Sequence, residues 1–332
     1  MDPTLYKDIL VPRGFKYHYY YSPAAQGQAT LLLLHGFPAT SYDWRKQVAY
    51  FQPKGYGIIA PDLLGSGGSS APIDVAAFRM NDVARDIIHI LDAERVDKVV
   101  GFGHDWGSVP LSRLSMLHSD RVSAFVWMTL PFVPPYTEPF DLEAGMQFAK
   151  SLLGYEAYSY WQFFISEKAP EIIEKNVTTQ IESFNQLLYP KDPACWLDYL
   201  AVRGKTEEWL VNNKQPGRPA YLSDLEFDKL SSDTLKTGIR SSLNWYKAQV
   251  TNLGLDDNKK IPAENHKIKA PSFFAAAGKD CIAVPEMGIA TIGRYSDQVT
   301  TVEFDAGHWV HIERSEEVNK AVEDWLVSLS AA

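Results

Sequence analysis

The sequence predicts an α/β fold: a mostly parallel central sheet flanked by helices, with a helical cap inserted into it. Three observations predict this. From residue 15 to residue 130, short apolar or aromatic runs alternate with segments of helical period, the rhythm of a sheet covered on both faces. The rhythm stops from Val133 to Pro262, where the chain reads as helical and rich in Trp, Tyr and Phe. It resumes at Ser272 and holds to the end. The composition is that of a globular chain: 332 residues, 45% hydrophobic and 22% charged, against the apolar-poor, highly charged make-up of disorder.

Taken in order, the aromatic run at 15–21 reads as a strand. Ala29–Leu34 is continuously apolar, as a central strand buried on both faces must be. Tyr42–Phe51 reads as a helix and Gly57–Ala60 as a strand. Phe78–Leu91 places Val83, Ile87, Ile90 and Leu91 on one helical side. Lys98–Phe102 is a strand, Trp106–Leu117 a helix and Val122–Leu130 a strand. After the helical stretch come the strand Ser272–Ala277, the helix Pro285–Tyr295, the strand Val299–Phe304 and the helix Ser315–Leu329. The expected division is a first core part at 1–132, a cap at 133–262 and a second core part at 263–332.

A formal net charge of −9, with Lys and Arg scattered along the chain, argues against nucleic acid as a partner. No apolar run approaches the length of a membrane span. The start, Met1-Asp2-Pro3-Thr4-Leu5, lacks a signal-peptide pattern, and Leu329 to Ala332 match no retention signal. Two cysteines, Cys195 and Cys281, imply no disulfide framework. A cytoplasmic protein is expected, in which the sequon Asn176-Val177-Thr178 carries no meaning. No His spacing suggests a metal site, and no cofactor is expected.

The strongest local signal is Gly103-His104-Asp105-Trp106-Gly107, between a predicted strand and a predicted helix. A small-x-nucleophile-x-small sequence there makes a sharp turn that exposes its central side chain above the sheet. The central residue is Asp105. A carboxylate with a pKa of about 4 is already ionised at neutral pH and needs no base before it attacks. It suits displacement at an sp³ carbon, and the product is an ester of the enzyme itself. His104 lies inside the turn and is expected to point away from Asp105.

Hydrolysis of such an ester needs a base for water and a group to orient it. His308, in Ala306-Gly307-His308-Trp309, follows the last predicted strand; Asp280, in Gly278-Lys279-Asp280, follows the strand before. Nucleophile, acid, His is the chain order of α/β hydrolases. Asp305 and His311 are rivals by proximity, expected to face solvent or other parts of the loop. The turn His35-Gly36-Phe37-Pro38 follows the first central strand. It can aim the Phe37 N–H at the site, with Trp106 N–H as a second oxyanion donor; His35 and Pro38 are read as shaping the turn. The loop Asp62 to Ser69 lacks the lysine and spacing of a phosphate loop and reads as structural.

These segments resemble soluble epoxide hydrolases of the α/β-hydrolase superfamily, from the His-Gly-x-Pro turn at 35–38 and the glycine-rich loop at 62–69 to the elbow at 103–107, Asp280 and His308. The resemblance implies the α/β-hydrolase fold and two cap tyrosines directed at the nucleophile. Tyr160-Trp-Gln-Phe-Phe164 matches one segment, with Tyr158 a rival, and Asn244-Trp245-Tyr246 matches the other. It implies that Asp105 attacks an epoxide carbon, Tyr160 and Tyr246 support the leaving oxygen, and His308, oriented by Asp280, activates water. The implied partner is a small apolar epoxide, the protein being monomer or homodimer. A haloalkane dehalogenase would share Asp105, Asp280, His308 and Trp106. It would differ in having a halide-holding group at the position of Phe37 and no tyrosine pair. A non-catalytic receptor on the same scaffold would have no need of the Asp–His pair, and Ser108 is misplaced for an esterase nucleophile.

Overall fold

The computed structural model describes residues 1–175 and 179–330; the sequon at 176–178 lies outside them. Eight strands form one sheet: β1 (Tyr6–Leu10), β2 (Lys16–Ser22), β3 (Thr30–Leu34), β4 (Gly57–Pro61), β5 (Val99–His104), β6 (Val122–Met128), β7 (Ser272–Ala277) and β8 (Val299–Phe304), in the order β1-β2-β4-β3-β5-β6-β7-β8. The first two pairings, β1 with β2 and β2 with β4, are antiparallel. All others are parallel.

β3 shows why the central run is wholly apolar. Side chains alternate across a strand, so Leu32 and Leu34 join the core under α2 (Met80–Ala93) and α3 (Ser108–Leu117). Leu31 and Leu33 meet the other layer, built on α1 (Arg45–Phe51) and the C-terminal helix Ser315–Ser330. Both faces are dry.

Between β6 and β7 every described regular element is helical: α4 (Leu142–Leu153), α5 (Ser159–Phe164), α6 (Ala169–Glu174), α7 (Thr179–Leu188), α8 (Cys195–Tyr199), α9 (Lys205–Val211), α10 (Asp224–Thr237), α11 (Asn244–Val250), α12 (Leu255–Asn258) and a short 3₁₀ turn. After β7 come α13 (Pro285–Tyr295), α14 (Val310–Glu313) and α15 (Ser315–Ser330). The predicted strands and helices of the sheet region fall within a few residues of those found. β1 is an addition: its mixed sequence Tyr-Lys-Asp-Ile-Leu gives no apolar alternation. Arg45 of α1 reaches Glu226 of α10 at 2.5 Å, and Tyr189 donates to Asp43 at 3.0 Å, tying the helical stretch to the sheet layer. No described helix is long and apolar enough to cross a membrane.

Candidate active site

Four loops at the carboxyl ends of parallel strands build the site, after β3, β5, β7 and β8. This is the edge at which open α/β sheets place their ligands. β5 ends at His104, and Asp105 then takes a φ of +50°, a left-handed backbone that aspartate tolerates better than most residues. The turn is tight enough to forbid side chains around it. A Cβ on Gly107 would overlap the Leu34 carbonyl, and one on Gly36 would overlap the Asp105 carboxylate.

Asp105 is held on both sides. The Phe37 N–H donates to its Oδ1 at 2.8 Å, and His308 Nε2 stands 3.5 Å from its Oδ2. Burial disfavours the charged carboxylate, but the bond to His308, the His308 charge and the Phe37 N–H outweigh it and hold its pKa below the usual range. His308 Nδ1 lies 2.6 Å from Asp280 Oδ2. The other Asp280 oxygen accepts the Ile282 and Ala283 N–H groups at 2.8 and 3.0 Å, which fixes the carboxylate in plane. For His308, burial opposes the charged ring, but two carboxylates flank it and raise its pKa well above the imidazole range.

Tyr160 on α5 and Tyr246 on α11 line the same cavity as Asp105. Their ring centroids are 5.9 Å apart, and the Tyr246 ring lies 5.1 Å from Phe37 and 4.9 Å from Trp106. Burial raises both phenol pKa values, and the Asp105 charge adds to it. Both therefore stay protonated and can donate. Tyr158 also lines the cavity; burial alone shifts its phenol, whereas the Asp105 charge also acts on Tyr160.

The remaining sequence candidates have structural places. His35 Nε2 accepts the Leu63 N–H at 2.9 Å, its Nδ1 facing the Gly36 carbonyl at 2.8 Å, and the Phe37–Pro38 bond is cis. Asp62 accepts the N–H groups of Ser41 and Gly68, both at 2.8 Å, so the glycine-rich loop is a structural knot. Ser108 donates to the Leu130 carbonyl. Asp305 is exposed and paired with Lys279 and Arg314. His311 corrects an expectation: it does not face solvent but is 1% exposed, wedged 4.8 Å from Trp44 and 4.3 Å from His104. Among the described residues it has no partner on either ring nitrogen. The sheet end turns inward there because α14 starts at once and carries His311 beneath the site.

Residues that sequence reasoning missed hold the His308 loop. The His308 carbonyl lies 2.9 Å from His104 Nε2 and accepts the Thr129 hydroxyl at 2.8 Å. Glu313 accepts the N–H groups of Gly307 and Trp309, and Trp309 donates to the Leu188 carbonyl while stacking on Tyr189. Only Glu313 left a trace in the sequence, as an acid a few residues past the His. Burial, reinforced by His308, pushes the His104 pKa down to about 3: it is a neutral support for the His308 carbonyl.

The cavity measures about 780 Å³ and is walled largely by aromatic and aliphatic side chains. A model of the α/β hydrolase fold family matches residues 29–315. Epoxide hydrolase A of Mycobacterium tuberculosis is 29% identical over 318 residues, 91% of this chain and 92% of that protein. Bifunctional epoxide hydrolase 2 of Mus musculus is 27% identical over 96% of this chain, which spans 54% of that longer protein. Among solved structures, epoxide hydrolase A from Mycobacterium thermoresistibile superposes with a TM-score of 0.75 at 26% identity, over 97% of each chain. An epoxide hydrolase from an endophytic Streptomyces superposes at 0.80 with 23% identity, over 98% of this chain and 96% of that one, a likeness of fold. The match across most of its length, on a sheet of this order with an acidic elbow after β5, makes the chain a hydrolase belonging to the α/β-hydrolase fold family.

Proposed function

We propose that the protein converts an epoxide and water to a vicinal diol through an alkyl ester on Asp105. One observation carries the reading. A half-buried, ionised carboxylate shares an apolar cavity with two protonated phenols, Tyr246 buried and Tyr160 half-buried, with a carboxylate-held histidine beside it. The relatives named above bear the same activity in their names. The helices contributing Tyr160 and Tyr246 support reading residues 133–262 as a cap on a core formed by 1–132 and 263–332.

In this mechanism Asp105 Oδ2 attacks an epoxide carbon and the ring C–O bond breaks. The departing oxygen takes a proton from Tyr160 or Tyr246, which saves it from leaving as a bare alkoxide in a dry site. Esterification also removes one of the two negative charges that hold the proton on His308. Its pKa falls, its proton restores the tyrosinate, and neutral His308 becomes the base that the second step needs. Water loses a proton to His308 and attacks the ester carbonyl, and the Phe37 and Trp106 N–H groups receive the oxyanion. Collapse releases the diol, protonated by His308. Two phenols that burial keeps protonated favour ring opening over halide release, for which Phe37 offers no polar side chain.

The test is a single turnover of an aryl epoxide in ¹⁸O-water, with mass spectrometry of diol and protein. Unlabelled diol, with label in the Asp105 peptide, is the expected result; label in the first-turnover diol would exclude the ester. Asp105→Asn is expected to lose at least about 10³-fold in kcat, the scale of removing a nucleophile. His308→Gln is expected to form the ester without turning over, adding the epoxide's mass to the intact protein.

A further inference from the structure

The cavity is far larger than an epoxide ring needs, and its shape has a direction. Val284, Met287, Gly288, Thr291 and Arg294 all line it. They recur at helical spacing, so the cavity runs along one stripe of α13. The ten residue steps from Val284 to Arg294 span ~15 Å at the rise of a helix. The near end adjoins the Asp280 loop through Ile282 and Ala283. At the far end of this stripe Arg294 is exposed, marking a mouth.

Charge is distributed unevenly along this channel. Apart from His308, Arg294 is the only cation among the lining residues, and Asp105, at the opposite end, the only acid. Among the described residues Arg294 makes no ion pair; its guanidinium lies over the Tyr295 ring, 5.6 Å from the centroid. Behind the channel wall stands a second cation without an acid. Arg113 is 4% exposed; among the described residues its Nε has no partner, and its one side-chain hydrogen bond is a long 3.4 Å contact to the carbonyl of Val133, itself a lining residue. A buried arginine is ordinarily paired. An arginine in the last turn of α13 would favour the helix dipole wherever it pointed. That does not explain why it borders the channel, or why a second unpaired guanidinium lies behind the same wall.

We infer that Arg294 is a specificity-determining residue that receives a carboxylate at the far end of the substrate, an epoxide on a long apolar stem laid along α13. The inference rests on the epoxide reading of the site. The stem fills the channel, the ring meets Asp105, and the anionic end stays at the mouth, where it keeps part of its hydration.

Two probes without an epoxide test the anion site alone. Dodecanoate and 1-dodecanol are titrated against the full-length protein, below their aggregation limits, by quenching of the fluorescence of Trp106 and Trp161 in the cavity wall. Arg294→Gln is expected to weaken dodecanoate about fivefold, the scale of a charge pair still touching solvent, and dodecanol less than twofold. Arg294→Lys is expected to recover most of the loss. Equal weakening of both probes, or of neither, overturns the inference. In parallel, 11,12-epoxydodecanoate and its methyl ester are turned over. The effect of Arg294→Gln is expected in KM for the acid with kcat kept, the mark of lost uniform binding. Failure of both epoxides to react overturns the epoxide reading on that arm, while the titration still decides Arg294.

Discussion

Two phenols and one carboxylate share the cavity, and the ionisation of each follows from where it sits. Asp105 keeps its charge because one N–H and one imidazole hold it; Tyr160 and Tyr246 keep their protons because burial and the Asp105 charge outweigh the hydrogen bonds from Trp161 and Trp106. If both phenols support the same departing oxygen, either one alone remains a partial donor. Tyr160→Phe and Tyr246→Phe are each expected to slow ring opening by about 10- to 100-fold, within the usual range of a general acid. The double variant is expected to fall well below either. Single-turnover ester formation, followed by quench and mass, reads this step apart from hydrolysis, and an unchanged rate in Tyr160→Phe would point to Tyr158. The elbow, His308 and Asp280 were legible because each sits where a strand ends, a position that periodicity locates. His311 was not: whether a ring three residues along turns in or out depends on α14, a helix of one turn that leaves no periodic signal.

At the scale of elements, the structure gives Asn244-Trp245-Tyr246 a physical reason. Asn244 Nδ2 bonds the carbonyls of Ile73 and Pro72 at 2.9 and 3.3 Å, and Trp245 Nε1 bonds the Leu64 carbonyl at 3.1 Å. Two consecutive side chains thus lash α11 to the glycine-rich loop region, and the third is left facing the cavity. Asn244→Ala takes the side-chain donor from the Ile73 carbonyl, while Pro72 keeps the Ser241 hydroxyl, and is expected to cost about 1 kcal/mol in urea unfolding. It is also expected to lower kcat with Tyr246 still present, because the phenol loses its mooring; a stability loss with kcat intact would separate the two roles. The strands of the parallel region were readable because burial on both faces demands unbroken apolar runs. β1 was not, since an outer strand carrying Lys7 and Asp8 has no such demand and gains by being charged at a sheet edge. The helical stretch gave its class but not its individual helices, several of which are only one or two turns long.

For the whole molecule, the buried histidines set the acid limit of stability. Burial lowers the pKa of His35, His104 and His311, so the native state stays unprotonated there while the unfolded chain takes up protons near pH 6.5. Stability must therefore fall as pH drops below about 6.5, by up to ~1.4 kcal/mol per pH unit for each such histidine. Asp43 works the other way. Burial raises its pKa to about 6, so the native state binds a proton between about pH 6 and 4 that the unfolded chain does not, offsetting about one histidine. His308, with its pKa raised, contributes stability that is full below about 6.5 and is lost as pH rises above it. Urea unfolding across pH 5 to 9 is expected to show a maximum near neutrality, with His308→Gln flattening the alkaline limb. A curve flat from pH 6.5 to 5 would mean that those three rings are protonated in the folded protein.

The bond from Phe37 N–H to Asp105 Oδ1 sets the two carboxylate oxygens apart. On the proposed ester route the oxygen held there becomes the ester carbonyl without moving, and the other departs in the diol and is replaced from water. If the carboxylate does not rotate between cycles, the oxygen that arrived last is always the next to leave. In ¹⁸O-water the first diol is then unlabelled and every later one fully labelled. A freely rotating carboxylate would mix the two oxygens and give half-labelled diol in the second cycle. The enzyme thus carries an isotopic memory one turnover long, and its sharpness measures how firmly a single backbone N–H holds an oxygen during catalysis.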